Sequence, residues 1–525
     1  MGDLHFTAHN EFQLLALLAA LGAMLVVAAR GRLPVSVLLV CGGLLLGFVP
    51  GLPRLQLPPD LVLVAILPPL LYSAAFFTGL RDLRANLRPI SLLAIGLVAA
   101  TTCGVAVVAH EAIAGLSWAA AFTLGAIVAP TDALATSEVA HRLNVPRRIV
   151  SILEGESLVN DGMALVLYET AVGAAVAGTF SLWSASWHLV VNVVGGIAVG
   201  LAVGFVVRQV RRRVDDPPTE VTIALLSGYL AYLPASALGV SGVLAAVTIG
   251  VYMGWYTPQL TTVQTRISGN AFWEILVFLV NALLFALVGL QLHLIASRLP
   301  ITASLIGEAA LVTAAVIGLR LVWLPVFTYL PRWLFPRIRA RDPYPPWQAP
   351  VILAWAGVRG AVSLAAALAL PTGLPHRDLI VFVTFVVILA TLVGQVLTLP
   401  LLVRLLGLQD DGGADREDAK ARVKAAEAAL ARLEELAAED WVREDTAERM
   451  RGQYRFRTNR FRARYHGNDD DGVEERSVQY QRLRRELLEA ERQAVNMLRN
   501  EGAITEEVMQ RVQRDIDLED LRLDA

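Results

Sequence analysis

The chain has 525 residues, of which 55% are hydrophobic; its mean hydropathy is +0.54 and its formal net charge is −2. Apolar stretches of seventeen or more residues recur from Phe12 to Leu406. Each is long enough to cross about 30 Å of hydrocarbon at about 1.5 Å per residue. This composition excludes a soluble globular protein and predicts an all-α polytopic membrane protein.

The apolar stretches predict about thirteen transmembrane helices. Their approximate bounds are 12–29, 34–50, 60–78, 88–110, 116–140, 148–178, 187–210, 218–236, 239–256, 270–297, 303–330, 347–371 and 378–406. With the N-terminus outside, the inner loops hold seventeen arginines and the outer loops only Arg54, Arg298 and Arg377. Because cytoplasmic loops are enriched in basic residues, this bias predicts an outer N-terminus and a cytoplasmic C-terminus. The Arg-rich, Lys-poor composition suggests a bacterial gene, so the expected location is the inner (cell) membrane.

The fifth predicted helix contains Pro130 and Asp132 in the run Ile127-Val-Ala-Pro-Thr-Asp132. A proline at mid-membrane removes a backbone donor and breaks or kinks the helix. Glycines interrupt the twelfth helix in the run Trp355-Ala-Gly-Val-Arg-Gly360. If helices 1–6 and 8–13 are inverted repeats, the two interruptions correspond, as in secondary transporters with crossing half-helices. Asp132 would then offset the half-helix N-termini, and Arg359 the C-termini.

The sixth predicted helix carries the run Leu-Glu-Gly-Glu-Ser-Leu-Val-Asn-Asp at 153–161. A charge near the bilayer centre is costly, so Asp161 must face a wet cavity, a partner or an ion. At 100° per residue, Glu154, Ser157 and Asp161 lie within about 60° of one another and can line a single cavity. Carboxylate, hydroxyl and carbonyl oxygens are the ligands of a hard monovalent cation. We therefore expect a cation site on this face.

Glu156 and Asn160 lie on a neighbouring face of the sixth helix, where they are better placed to contact another helix. Glu156 is roughly 12 Å from the inner end of its helix, and Arg320 on the eleventh helix is roughly 15 Å from the same side. An unpaired guanidinium in lipid is costly. The matching depths predict a structural ion pair between Glu156 and Arg320.

Four segments of the chain resemble the monovalent cation:proton antiporter family, which includes bacterial sodium/proton antiporters and animal sodium/proton exchangers. They are APTDALA at 129–135, EGESLVNDGMALVLYE at 154–169, TRISGNAFWEILVFLVNALLFALVGLQL at 265–292 and GVRGAVSLAAALALP at 357–371. The resemblance implies a homodimer of thirteen-helix protomers, each with a dimerisation domain and a mobile core domain that carries the ion by an elevator-like motion. It implies a transporter without a cofactor, and not an enzyme.

The resemblance also implies roles for individual residues. Asp161 resembles the family's ion-binding, proton-accepting aspartate, and Asn160 before it gives the Asn-Asp form linked to electroneutral exchange. The remaining matches are Thr131, Asp132 and Ser157 near the ion, Glu156 with Arg320 as the structural ion pair, and Arg359 at the twelfth-helix crossover. Ser73 occupies a place where some relatives have an acidic residue, which leaves a third carboxylate ligand and the ion preference open.

The predicted function is exchange of sodium for protons across the inner membrane by alternating access, for pH and sodium homeostasis. If Asp161 binds either a proton or a cation but never both, the coupling is 1:1 and electroneutral. The absence of any lysine before Lys420 supports this, since no buried amine supplies a second proton. Potassium/proton exchange remains an alternative, with lithium a further possible ion. A gated cation channel and a membrane sensor are the alternatives from other classes.

The domain boundary is predicted between residues 408 and 409. The segment 1–408 is the expected transmembrane antiporter domain; 409–525 holds 22 basic and 29 acidic residues, no long apolar run, and predicted helices over 415–463 and 474–500. Residues with heptad spacing leave two interpretations open, a regulatory or self-associating module and a solvated helical hairpin. These residues are Val423, Ala426, Leu430, Leu433 and Ala437.

The basic run Arg449 to Arg464 suits contact with membrane lipid headgroups better than nucleic acid, which is not an expected partner.

Overall fold

The computed structural model describes residues 19–20, 22–27, 30, 34–48, 61–177, 182–296, 299–408, 412–466 and 473–524. Every regular element within these residues is a helix. The first predicted span, 12–29, lies largely outside them, as do Arg32, Arg54 and Arg298.

The chain separates into two compact units, Met1–Gln409 and Asp410–Ala525. The first unit contains α1 (Val35–Gly47), α2 (Leu67–Phe77), α3 (Leu80–Ala85), α4 (Leu87–Ser91), α5 (Val98–Ala112), α6 (Trp118–Val128), α7 (Leu134–Arg142), α8 (Arg147–Ala177), α9 (Leu182–Arg211), α10 (Pro217–Ala237), α11 (Gly242–Leu260), α12 (Val263–Ala296), α13 (Ala303–Leu334), α14 (Pro336–Arg341), α15 (Gln348–Trp355), α16 (Ala361–Leu368), α17 (Arg377–Leu389) and α18 (Val396–Leu406). π-Helical turns at Leu61–Ile66, Leu92–Leu97 and Ala390–Gln395 adjoin α2, α5 and α18.

Five continuous helical segments among the described residues are long and apolar enough to cross a membrane. They are Leu87–Ala112, Ser186–Arg211, Val263–Gln291, Ala303–Leu334 and Arg377–Leu406, with shorter apolar helices at Val35–Gly47, Val62–Phe77 and Trp118–Val128. On α9, large apolar side chains such as Trp187, Val194 and Phe205 are exposed, as expected for a surface that faces lipid. These features are those of a multi-pass membrane protein. The count of thirteen crossings and the inverted repeat stay predictions.

Both interrupted spans are broken into two helices each. The first break lies between Val128, the last residue of α6, and Leu134, the first of α7; Pro130 within it has no backbone donor. The second separates α15 from α16 at 356–360. The Asp132 backbone N–H donates to the Val358 carbonyl at 2.7 Å, so the two breaks lie against each other.

Glycines allow helices beside the breaks to pack backbone to backbone. A Cβ atom at Gly43 or Gly289 would overlap the main chain where α1 meets α12, and one at Gly254 would overlap the main chain of α2 where α11 crosses it. Small residues at such interfaces are typical of helix packing in membranes. This packing joins α12, which carries Asn281, to α1, and α2, which carries Ser73, to α11.

The second unit consists of α19 (Gly413–Leu436), α20 (Glu444–His466), α21 (Val473–Asn500) and α22 (Glu506–Asp524). The predicted single helix over 415–463 is wrong, since the chain turns at 437–443, and α22 was not predicted. Arg451 binds Glu434 at 2.8 Å and Arg462 binds Glu427 at 2.5 Å, so α19 and α20 are antiparallel. A hairpin buries apolar side chains such as Ala426 and Phe461, which one straight helix would leave in water.

Candidate functional site

A cavity of about 310 Å³ lies between α2, α7, α8, α12 and the two breaks. Most of its lining residues are apolar. The polar ones are Ser73, Thr78, Thr131, Asp132, Ser137, Glu154, Ser157, Asp161, Asn281 and Ser363. Asp161 is 8% exposed. The structure thus brings Glu154, Ser157 and Asp161 of α8 to one cavity.

Asp132 lies at the beginning of two helices. Its Oδ1 accepts a hydrogen bond from the Leu134 N–H at 2.9 Å, at the start of α7. Its carboxylate also contacts Gly360, the residue that precedes α16, so closely that a Cβ atom there would overlap it. Ser157 Oγ accepts from the Ala133 N–H at 3.4 Å. A carboxylate at this place offsets the positive ends of both half-helix dipoles.

Arg359 lies at the opposite helix ends and is 1% exposed. Its Nε donates to the carbonyl of Val128, the last residue of α6, at 2.9 Å, and its Nη1 donates to the Gly357 carbonyl. The Arg359 backbone N–H donates to Thr391 Oγ1 at 3.1 Å. The guanidinium therefore offsets carbonyl groups that the break leaves without helical partners.

Glu156 and Arg320 form a two-pronged ion pair, and each residue is 1% exposed. Arg320 Nη2 donates to Glu156 Oε2 at 2.8 Å, and Nη1 donates to Oε1. The same Nη2 donates to the Leu353 carbonyl at 3.0 Å, near the end of α15. Arg320 thus joins α8 to a broken helix as well as neutralising Glu156.

Thr131, which lines the cavity, and Asn160, which does not, extend this network. Thr131 Oγ1 donates to Glu156 Oε1 at 2.9 Å, and Asn160 Nδ2 donates to Thr131 Oγ1 at 2.7 Å. Asn160 is fully buried and is not part of the cavity lining; its Oδ1 has no hydrogen-bond partner among the described residues. The structure therefore groups Asn160 with the ion pair rather than with Asp161.

Glu154 and Ser73 are two further polar residues of the cavity lining. The Glu154 carboxylate lies 3.7 Å from His141 Nε2 and its side chain is 40% exposed, which places it at the cavity mouth. Ser73 lines the cavity, and its hydroxyl donates to the Leu70 carbonyl at 2.9 Å. Asn281 of the cavity lining and Thr391, which accepts from the Arg359 N–H outside it, are polar residues to which the sequence assigned no role in the site. The signal for Thr391 was a polar residue inside a long apolar span.

Two broken helices that meet beside a carboxylate-lined cavity define the site as that of a secondary transporter. The family model for transmembrane sodium/hydrogen exchangers matches residues 14–405. The chain belongs to the sodium/hydrogen exchanger family, whose members are cation/proton antiporters and not enzymes. Among the described residues, no group of three or more His, Cys, Asp or Glu side chains could hold a resident metal ion; the transported cation is cargo.

Individual relatives agree with this assignment. An uncharacterized Na⁺/H⁺ exchanger of Mycobacterium tuberculosis is 36% identical over 97% of this chain and 95% of its own. A Na⁺/H⁺ antiporter of Aphanothece halophytica is 32% identical over 81% of each chain. A sodium, potassium, lithium and rubidium/H⁺ antiporter of Bacillus subtilis is 33% identical over 70% of this chain and 58% of its own. The solved sodium proton antiporter MjNhaP1 of Methanocaldococcus jannaschii shares the fold, with a TM-score of 0.56, 20% identity and coverage of 76% of this chain and 100% of that one.

Proposed function

We propose that this protein exchanges one sodium ion for one proton at Asp161, by alternating access and without net charge movement. One observation carries the proposal: Asp161 is the buried carboxylate of the cavity whose charge no arginine or helix end offsets among the described residues. Glu156 is neutralised by Arg320. Asp132 and Arg359 carry opposite charges at the opposite ends of the crossed half-helices. Glu154 lies half-exposed at the cavity mouth beside His141, so Asp161 is the buried carboxylate left for a cation or a proton.

The mechanism follows from competition for that carboxylate. A monovalent cation and a proton each neutralise Asp161, and each requires the site that the other occupies. The neutral, loaded site can be moved through a low-dielectric barrier, whereas the empty charged site cannot without a desolvation penalty. Each half-cycle therefore transports one cation or one proton, in opposite directions. A full cycle moves no net charge across the membrane.

The position of the cavity supports access from the cytoplasmic side in this conformation. Its lining extends from Asp161 to Glu154, Ser137 and Thr78. Thr78 and Ser137 lie near the helix ends that precede Arg81 and Arg142, which the arginine bias assigns to the inner face. Alternating access then requires α8 and the broken helices to move as one group, since Arg320, Thr131 and Asp132 join them.

The proposed setting is the inner membrane of a bacterium, with the N-terminus outside, the C-terminus in the cytoplasm and two protomers in a homodimer. The large exposed apolar surface of α9 is consistent with lipid or a second copy as its neighbour. Sodium export coupled to proton entry would serve pH and sodium homeostasis. The proposed role of 409–525 is regulation or self-association through its cytosolic helices.

The test uses proteoliposomes with an acidic interior and a trapped pH dye. Added external sodium should alkalinise the lumen with wild-type protein, and Asp161→Asn should abolish this. Glu169→Gln, which changes an exposed acid elsewhere on α8, should not. Equal activity of wild type and Asp161→Asn would refute the proposed site. Cation flux without proton movement would instead favour the gated channel.

Potassium/proton exchange is the second candidate, and Ser73 is the observation that favours it. A hydroxyl that donates to its own helix adds no carboxylate to those of Asp132, Glu154 and Asp161, which loosens the preference for the small sodium ion. Half-saturation concentrations for sodium, potassium and lithium in the same assay separate the candidates.

A further inference from the structure

We propose that three arginines and Asp342 form a binding site for a phosphate-bearing anion, separate from the cation cavity. Arg88 on α4, Arg148 on α8 and Arg332 on α13 line a crevice of about 90 Å³ together with Asp342. If all are ionised, three guanidinium groups face one carboxylate, which leaves a net charge of +2. A cluster of arginines around one acid is the arrangement that recognises phosphate.

The single carboxylate does not satisfy the three guanidinium groups. Arg148 Nη2 donates to Asp342 Oδ1 at 2.9 Å, and Arg332 Nη2 donates to Asp342 Oδ2. Arg88 Nη1 lies 3.6 Å from the same Oδ2, beyond hydrogen-bond distance. Both terminal nitrogens of Arg88 are buried and have no hydrogen-bond partner among the described residues. Buried donors are normally paired, and the Arg88 side chain is 32% exposed, so its two terminal nitrogens are donors that an anion entering the crevice can use.

The crevice has room for that acceptor. A single water fills about 10–15 Å³ of such a volume, so about 90 Å³ accommodates several waters or one phosphate group. Its deeper walls are apolar and include Leu92, Trp323 and Phe327. The neighbouring outer face of α13 exposes Val322 and Val326.

The surroundings favour a lipid headgroup as the source of the phosphate. The arginines lie at helix ends that the charge bias places at the cytoplasmic surface, where anionic headgroups are found. The apolar walls then continue into a surface suited to an acyl chain. A soluble phosphate would use the same three guanidinium groups without these walls.

The experiment measures ligand-dependent melting of the full-length protein in detergent micelles. Short-chain phosphatidylglycerol, short-chain phosphatidylcholine and inorganic phosphate are titrated separately against wild type, Arg88→Gln, Arg88→Lys and Arg84→Gln. Arg84 is exposed, lies four residues away and does not line the crevice, so Arg84→Gln is the control for loss of one charge.

We expect a saturable rise in melting temperature with phosphatidylglycerol for wild type and Arg84→Gln. Binding to Arg88→Gln should be roughly tenfold weaker or more, because one charge-assisted contact is lost, and Arg88→Lys should recover part of it. An equal, Arg88-dependent response to inorganic phosphate supports the site and assigns it to a soluble anion. The same response of wild type, Arg88→Gln and Arg84→Gln to every ligand overturns the proposal. Because the readout is binding, it does not depend on the proposed exchange activity.

Discussion

The Arg359 guanidinium donates a 2.9 Å hydrogen bond to the carbonyl of Val128, and so the break in one helix is capped by a side chain from the break in the other. Asp132 makes the reciprocal contact. Its backbone N–H donates to the Val358 carbonyl in the other break, and its carboxylate accepts from the Leu134 N–H in the first turn of α7. Each break therefore supplies the charge that the other requires. Among the buried acids of the cavity, this arrangement leaves Asp161 without an offsetting charge.

This balance predicts opposite effects for two substitutions. Asp132→Asn removes a negative charge near Asp161 and should weaken cation binding, whereas Arg359→Gln removes a positive charge and should tighten it. At an effective dielectric constant of about 20 and separations of roughly 8–15 Å, each change amounts to about 1–2 kcal/mol, or roughly 5- to 30-fold in affinity. The measurement is the sodium concentration for half-maximal exchange at fixed pH.

The asparagine at 132 keeps an oxygen that can accept from the Leu134 N–H, so a folding defect is not expected for that variant. Shifts of the same sign in both variants would contradict the charge balance.

Arg320→Ala should destabilise the protein strongly. It leaves Glu156 buried without its partner and removes the donor to the Leu353 carbonyl. Breaking a buried pair by removing one partner costs roughly 3–5 kcal/mol. Arg320→Lys should be intermediate, because an ammonium cannot donate to both carboxylate oxygens in the same fork geometry.

The loss of stability is measured by thermal unfolding of wild type and the Arg320 variants in micelles. Arg212→Ala, which changes an exposed arginine at the end of α9, is the control. Wild-type stability of Arg320→Ala would show that the pair does not join the helices.

Ser73→Asp should shift the ion preference. It adds a fourth acid to a cavity lined by Asp132, Glu154 and Asp161, which strengthens attraction for a cation and favours the ion with the higher charge density. We expect the ratio of potassium to sodium half-saturation constants to rise, with Ser73→Asn as the uncharged control of matching shape. An unchanged ratio would show that residue 73 does not determine the ion preference.

The hairpin formed by α19 and α20 should become less stable at acidic pH. The hydrogen bond from Arg451 holds the pKa of Glu434 below its ordinary value of 4.5. Because the pKa is lower in the folded hairpin than in the unfolded chain, the pair stabilises α19 against α20 above about pH 4.5, and this stabilisation is lost as the pH falls through the lowered pKa.

Hydrogen exchange in α19 and α20 of the full-length protein, with labelling times scaled to the intrinsic rate at each pH, measures this loss. Glu434→Gln should exchange faster at neutral pH and show a smaller acid response. An identical pH dependence in both proteins would exclude Glu434 as its source.

Because membranes penalise unpaired polar groups, the sequence indicated where the helices break and which residues of α8 share a face. Pro130 and the glycines around Arg359 could be interpreted as breaks, and carboxylates in a long apolar helix indicated the cavity face. The partners of these groups depend on tertiary packing. That Arg320 also binds the Leu353 carbonyl, and that Asn160 is turned toward Thr131, follow from how α8 meets the broken helices, which no spacing along the chain encodes.

The tail illustrates a different limit. The heptad spacing of Val423 to Ala437 predicts an apolar stripe on a helix but not where that helix ends. The turn at 437–443 brings Glu434 to Arg451 and Glu427 to Arg462, which are contacts between residues distant in sequence. The crevice at Arg88 was missed for the same reason, since its members come from separate segments.

The most direct test of the central claim is the null point of exchange under an imposed membrane voltage. Proteoliposomes with a fixed proton gradient are exposed to a series of sodium gradients, and the sodium ratio at which proton movement ceases is measured at zero voltage and with potassium diffusion potentials of either sign. If Asp161 carries one sodium ion or one proton, the null point falls where the sodium and proton ratios are equal and does not move with voltage. A null point that shifts with voltage would mean that more than one proton crosses per sodium ion, and would contradict the account of a single unbalanced carboxylate.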